Sequence, residues 1–222
     1  MASHLDLEEQ EQLDQLKAFW NKYGNLITWV ITLALLGFAA WTGWGWWQRE
    51  QAAKATALYD ALESAEKAGD ADKAARAFAD LKERFPRTTY AAQGALLAAK
   101  MQFDKGQVDN AKASLSWVAE SGAEYREVAK LRLAGLLIDA KDYDAASKTL
   151  DGISSPDYAA LVADRRGDIA LLLGKPDVAK AEFAKAYAGL DKQLDYRKIV
   201  DAKLTSLGAA PVEPEVKAEV KQ

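Results

Sequence analysis

Closely spaced carboxylates are the side chains of this sequence that could support acid–base catalysis or metal binding. Asp70 and Asp72 form one pair, and Asp142 and Asp144 form another. Each pair lies in a short polar breaker followed by apolar residues at helical spacing. At such positions aspartates cap free backbone amides and interact favourably with the helix dipole. We therefore interpret both pairs as helix-start residues and predict no catalytic or metal site from them.

Histidine and cysteine offer almost no further chemistry. The sequence has one histidine, His4, and no cysteine. A lone imidazole makes neither a metal site nor a catalytic triad, and without thiols there are no disulfides or thiolate zinc sites. The sequence also lacks the glycine-rich phosphate and dinucleotide loops and the common hydrolase and calcium motifs. It predicts a protein that is not an enzyme and uses no cofactor or metal.

One charged cluster, ADRRGD at 163–168, could contact a partner. Its two guanidinium groups, Arg165 and Arg166, could clamp a carboxylate of another protein. They could instead form ion pairs with neighbouring aspartates on a helix surface. We favour the intramolecular pairing and keep both arginines as candidate partner contacts.

Four of the seven tryptophans lie within the ten residues WTGWGWWQRE at 41–50. An aromatic platform for nucleic acid would need basic residues interleaved along a groove, and none lies between these tryptophans. The chain after residue 22 carries 28 acidic and 27 basic residues, so it has no basic footprint either. We predict no binding of nucleic acid.

The elements around the tryptophans indicate a membrane span instead. No charged residue occurs between Lys22 and Arg49, and Leu26–Trp47 would form a helix of about 33 Å, close to the ~30 Å of a hydrocarbon core. A cleaved signal peptide would have a basic start and a shorter apolar run. We predict a retained helical anchor over 23–48.

Amphipathic aromatic side chains favour the boundary between lipid and water, which gives the tryptophans a physical role. A tail over 1–22 precedes the anchor and is predicted to form a short amphipathic helix, which either meets a protein partner or only leads into the span. Basic residues on the two sides are balanced, so charge alone predicts no orientation. The predicted interfacial side chains are Trp20, Tyr23, Trp41, Trp44, Trp46, Trp47 and Arg49.

The rest of the chain repeats one apolar pattern. Four segments, each following a short breaker, place a small residue four positions before a bulky one, and successive small residues are 37, 35 and 33 positions apart. Small residues let paired helices approach closely, and bulky ones fill the space toward the next pair. A generic alanine-rich bundle is the alternative. The predicted repeat-packing residues are Ala74, Phe78, Ala99, Ala111, Leu115, Ala134, Ala146, Leu150, Gly167, Ala179 and Phe183.

The sequence therefore predicts an all-α protein: a single N-terminal transmembrane helix followed by a tetratricopeptide-like repeat array over 49–208. The helix expected over 191–208 would cap the array, and the Pro- and charge-rich tail over 209–222 is expected to be disordered. Such arrays form a concave surface from successive first helices, so we expect recognition of a protein segment.

Three stretches carry a resemblance to a known family. They are LDLEEQEQLDQLKAFWNKYGN at 5–25, LRLAGLLIDAKDYDAASKTLDGI at 131–153 and ALVADRRGDIALLLGKPDVAKAEF at 160–183. In this order, around a Trp-rich anchor, they resemble the YfgM-like family, the ancillary subunits of the bacterial SecYEG translocon. The resemblance covers nearly the whole chain except the last dozen residues.

The resemblance implies a single-pass protein of the bacterial inner membrane, with its N-terminus in the cytoplasm and its repeat domain in the periplasm. It further implies association with the SecYEG translocon, with a membrane-anchored periplasmic chaperone of the prolyl-isomerase type, and with translocating or newly translocated proteins. The family has no catalytic residues. The alternative hypothesis is an envelope scaffold or regulatory adaptor, acting in cell division or envelope stress through the same repeat surface.

Overall fold

The computed structural model describes residues 7–121 and 124–210, and all regular structure in these two stretches is helical. The all-α prediction is confirmed. His4 and the tail residues 211–222 lie outside the described residues. The helices are α1 Leu7–Lys67, α2 Ala71–Arg84, α3 Thr89–Asp104, α4 Val108–Glu120, α5 Arg126–Asp139, α6 Tyr143–Asp151, α7 Ala159–Leu172, α8 Pro176–Gly189 and α9 Asp195–Ser206, with a 3₁₀ turn at Pro156–Tyr158 before α7.

Helix α1 extends well beyond the apolar span. It runs over 61 residues, because no glycine or proline interrupts the alanine-rich sequence between Trp47 and Lys67. The predicted bounds of tail, anchor and repeat domain, at 22/23 and 48/49, therefore do not coincide with helix ends. The chain divides into two compact units between Ala53 and Lys54. We describe the two units separately.

The aspartates of the two carboxylate pairs lie at helix starts. Asp70 is the N-cap of α2, where its carboxylate accepts the Lys73 amide at 3.0 Å. Asp142 is the N-cap of α6 and accepts the Ala145 amide at 3.2 Å. The backbone hydrogen bond from Lys73, with further help from its side chain, lowers the pKa of Asp70. Each N-cap satisfies a backbone donor that the helix itself leaves unpaired.

Four tight turns connect the helix pairs with one backbone geometry. The residue two positions before each second helix has a positive φ, 69° at Gly69, 75° at Gly106 and 70° at Gly174. In the α5–α6 turn this position is occupied by Lys141, with φ 62°. In every case the next amide bonds to the carbonyl five residues earlier, as in Lys175 to Ala170 at 2.9 Å. This is the Schellman termination, which favours glycine at the left-handed position.

Small residues allow the paired helices to approach closely. An added Cβ at Gly167 of α7 would lie only 2.5 Å from the ring of Phe183 on α8, a side chain that is fully buried. Loss of the Cβ thus makes room for a large ring at the helix contact. All eleven residues predicted to pack between repeats are buried: Ala74, Phe78, Ala99, Ala111, Leu115, Ala134, Ala146, Leu150, Gly167, Ala179 and Phe183.

Helix α9 covers the apolar end of the last repeat. Its side chains Val200 and Leu204 are buried in the same cluster as Phe183 and Ala186 of α8. The helix is shorter than the predicted cap over 191–208 but lies within it. A terminal helix of this kind shields surface that the next repeat would otherwise cover.

Candidate interaction groove

The first helices of three successive repeats line an open groove in the second unit. The groove has a volume of about 530 Å³, and most of its lining is apolar. Leu96 and Leu115 form part of its floor and are almost completely buried, whereas Phe103 is 44% exposed. The groove is lined by Leu96, Ala99, Lys100, Phe103, Leu115, Val128, Leu131, Arg132, Gly135, Leu136, Asp139, Tyr158, Leu161, Arg165 and Tyr196.

The spacing of these residues explains why helices α3, α5 and α7 form the lining. On α5 the lining positions include Val128, Arg132 and Asp139, which are four and seven residues apart, about one and two helical turns, and so share one face. Ala129 and Ala134 of the same helix lie to either side of this face and are fully buried in the core. One amphipathic helix therefore serves both the core and the groove.

Gly135 opens the middle of the groove. No heavy atom outside its own helical turn lies within 4 Å of the place where its Cβ would be. Gly135 lies within helix α5 and is not among the glycines with positive φ, so its backbone does not require glycine. The missing side chain leaves space that a ligand side chain can enter.

Two of the basic groups at the groove have acidic partners. Lys100 lies 3.0 Å from Glu66 and 4.0 Å from Asp104. The hydrogen bond to Glu66, together with the charges of both acids, raises the pKa of Lys100. Arg165 lies 3.2 Å from Asp168. These pairs partly neutralise the cations, so neither offers a full charge to a ligand.

Arg132 and Asp139 differ from the paired cations. Both side chains are exposed and line the groove. Within residues 7–121 and 124–210, neither has an ion-pair or hydrogen-bonding partner. The groove thus presents one cationic and one anionic side chain on the same helix.

A buried carboxylate fixes the cap helix beside the groove. The side chain of Asp164 on α7 is fully buried and accepts a hydrogen bond from the Tyr196 hydroxyl at 2.6 Å and from Lys203 Nζ at 2.8 Å. Lys203 also bonds to Asp168 at 2.6 Å. Burial, and next the hydrogen bond to Asp164, raise the pKa of Tyr196. Because the ring of Tyr196 lines the groove, this cluster positions part of the groove wall.

Both arginines form ion pairs within the chain, as the sequence predicts. Arg166 donates a hydrogen bond of 2.7 Å to Asp151 of α6, which belongs to the preceding repeat. Arg165 lines the groove, whereas Arg166 is not among the lining residues. The partners Tyr196 and Lys203 were not anticipated, because they lie 32 and 39 residues from Asp164.

The apolar part of α1 is long and apolar enough to cross a membrane, with a mean hydropathy of 1.8 and no burial within the chain. Its hydroxyl groups bond to its own backbone: Thr28 donates to Gly24 at 2.8 Å and Thr32 donates to Thr28 at 2.7 Å. Internal satisfaction of polar groups is what a hydrocarbon environment requires. This helix is the one candidate span in the described part of the chain.

The predicted interfacial side chains surround α1 rather than forming one face. At about 100° per residue, the four clustered tryptophans point to different sides of the helix. The rings of Trp44 and Trp47 are 5.2 Å apart. Indoles on all sides of a helix fit a headgroup layer that surrounds it, whereas a stacking platform needs its indoles on one face. The seven side chains, all exposed, are Trp20, Tyr23, Trp41, Trp44, Trp46, Trp47 and Arg49.

An exposed leucine patch was also not anticipated. Leu171, Leu172 and Leu173 at the C-terminal end of α7 are each 42–56% exposed, and Val178 in the first turn of α8 is 51% exposed. In the sequence these residues look like helix-core positions, because their apolar run gives no sign of which sides remain uncovered. The patch lies at the α7–α8 turn.

Comparison with known proteins is consistent with this architecture. A family model described as a tetratricopeptide repeat-like domain matches residues 17–209. A Neisseria gonorrhoeae protein named ancillary SecYEG translocon subunit is 30% identical over 93% of this chain and 100% of its own length. An Escherichia coli protein of the same name is 32% identical over 79% of this chain and 85% of its own length. No solved structure matches the chain.

Proposed function

Because this chain belongs to the tetratricopeptide repeat-like family of ancillary SecYEG translocon subunits, we propose that it is a non-enzymatic accessory subunit of the Sec translocon. The proposal is supported by relatives of that name that align over most of both chains. Its recognition surface is an open groove, and proteins of tetratricopeptide type act through such surfaces.

The apolar part of α1 anchors the protein in the bacterial inner membrane. Support comes from the charge-free span Leu26–Trp47, its exposed apolar surface and the tryptophans near its end. We propose that the N-terminal segment lies in the cytoplasm and the repeat domain in the periplasm. A repeat domain tethered to the bilayer meets membrane-bound partners at a raised effective concentration, so weak contacts suffice.

The groove binds a membrane-anchored periplasmic chaperone of the prolyl-isomerase type, newly translocated proteins, or both. The observation that carries this proposal is the apolar groove of about 530 Å³ across three successive repeats. An apolar floor with a few polar groups at its margin suits a protein segment that inserts side chains. In this proposal the chaperone supplies any catalysis, and this chain supplies only binding.

Photocrosslinking in living cells tests the proposal. A photoreactive amino acid is placed at Trp44 to sample the anchor, and another is placed at Phe103, an exposed aromatic residue of the groove lining, to sample the groove. We expect the first to capture translocon subunits and the second to capture a chaperone or a client protein. If the anchor position captured only cell-division or signalling proteins, the function would instead be that of a scaffold or adaptor.

A further inference from the structure

We propose that the groove binds a protein segment in one preferred orientation. The segment has apolar side chains flanked by a carboxylate at one end and a basic group at the other. Arg132 binds the carboxylate and Asp139 binds the basic group. This inference rests on the proposed role of the groove in protein recognition and adds the class of segment that fits it.

The first argument is the separation of the two charges. Arg132 and Asp139 lie seven residues apart on α5, which is two helical turns and about 10 Å along the axis. Seven residues is close to a whole number of turns, so both side chains lie on the same face, and both line the groove. The groove therefore has a cationic side chain and an anionic side chain at two places about 10 Å apart along α5.

The second argument is that these two charges are available. Among the described residues, the other charged groups of the groove have partners: Lys100 with Glu66 at 3.0 Å, and Arg165 with Asp168 at 3.2 Å. Arg132 and Asp139 have none in the same part of the chain. A ligand carboxylate at Arg132 gains a charge-assisted, bidentate hydrogen bond without displacing an existing pair.

The third argument is the apolar surface between them. Gly135 lies midway between the two charges and leaves room for a side chain, and Leu131 and Leu136 border the same space. Burial of apolar surface supplies most of the affinity, while complementary charges fix register and orientation. A segment entering in reverse would place its carboxylate against Asp139 and its basic group against Arg132, and like charges oppose that orientation.

The geometry defines the ligand spacing. In a helical ligand, about 10 Å between the acidic and basic residues corresponds to seven positions. In an extended ligand it corresponds to three positions at about 3.3 Å per residue. Both are peptide segments, and peptides of the two spacings distinguish the conformations.

The test uses the full-length chain in nanodiscs of neutral lipid and fluorescently labelled synthetic peptides. Each peptide carries two leucines between one glutamate and one lysine, spaced by seven or by three positions, in either order. Fluorescence anisotropy gives the affinity. We expect one order to bind about ten-fold more tightly than the other, and the double exchange Arg132→Glu with Asp139→Lys to reverse the preference.

Two further variants complete the test. Lys148→Glu reverses a charge on α6 outside the groove and should leave the preference unchanged. Gly135→Leu fills the groove and should abolish binding of every peptide. Equal binding of both orders, a preference that survives the double exchange, or no binding to the original chain would each overturn the proposal. If Gly135→Leu removed binding but the exchange had no effect, the groove would still be a binding site and only the directional inference would fail.

Discussion

The ammonium group of Lys203 lies 2.8 Å from a carboxylate oxygen of Asp164, a residue whose side chain is completely buried. The two residues are on different helices, α9 and α7, 39 positions apart. The same ammonium lies 5.0 Å from the centre of the Phe183 ring. This ion pair links the cap helix to the last repeat.

Removal of the cation should therefore destabilise the repeat domain. In Lys203→Met the buried Asp164 keeps the Tyr196 hydrogen bond and only a long contact of 4.0 Å with Arg165, and we expect a loss of about 3 kcal/mol in the free energy of unfolding. Urea denaturation of the full chain in detergent, followed by circular dichroism, measures it. The matched control is Lys198→Met on the same helix, whose pair with Asp195 is exposed. The control should change stability by less than about 0.5 kcal/mol, and equal losses would contradict the assignment.

Alkaline pH should weaken the hydrogen bond that Tyr196 donates to Asp164. The pKa of Tyr196 is raised above the ordinary value of about 10, so the folded state holds its phenolic proton more tightly than the unfolded state does. The stabilisation is complete below pH ~10 and is lost as pH rises from there toward the folded pKa. Urea midpoints at pH 9 and pH 11 should differ more for the original chain than for Tyr196→Phe. An identical difference in the two chains would show that other groups cause the alkaline loss.

The close approach at Gly167 predicts opposite outcomes for two Gly→Ala changes. At Gly167 a Cβ would lie 2.5 Å from the buried Phe183 ring, so the gain in helix propensity should be outweighed by strain of about 1–3 kcal/mol. At Gly135 a Cβ meets nothing within 4 Å, and alanine should stabilise the helix by up to about 1 kcal/mol. Thermal unfolding compares the two. A stable Gly167→Ala variant would indicate that α7 and α8 can separate at little cost.

Lys141 holds a left-handed conformation that glycine holds in the three related turns. Lys141→Gly should relieve the Cβ strain, partly offset by the greater freedom of glycine in the unfolded chain, for a net gain of about 0.5–1 kcal/mol. Gly106→Ala is the converse change and should cost about 1 kcal/mol. Denaturation midpoints test both. A loss of stability in Lys141→Gly would mean that the lysine side chain contributes more than its backbone strain costs.

The proposed orientation in the membrane is open to a protease experiment. Protease added to intact spheroplasts should digest the repeat domain and leave an N-terminal epitope tag on a protected fragment. Detergent lysis before digestion should remove that fragment, which controls for intrinsic resistance of the tag. A protected repeat domain and an accessible tag would reverse the topology.

Much of the architecture was predictable because it depends on local periodicity. The charge-free span, the spacing of Ala111 and Leu115, and the aspartates that begin helices each reflect the needs of one helix or one turn. Each of these signals lies within a few residues. The all-α fold followed from them, and the family was indicated by the resemblance of the three quoted stretches; both are confirmed.

The amino-acid sequence by itself thus determined the helical repeat pattern, the short breakers that separate its segments and which segment is apolar enough to enter lipid. Only the tertiary structure decided that Asp164 pairs with Lys203, that Arg132 and Asp139 face a shared groove and that Gly167 accommodates the Phe183 ring. The physical reason is distance along the chain. Helix formation depends on neighbours up to four residues away, whereas these contacts depend on how successive helix pairs stack.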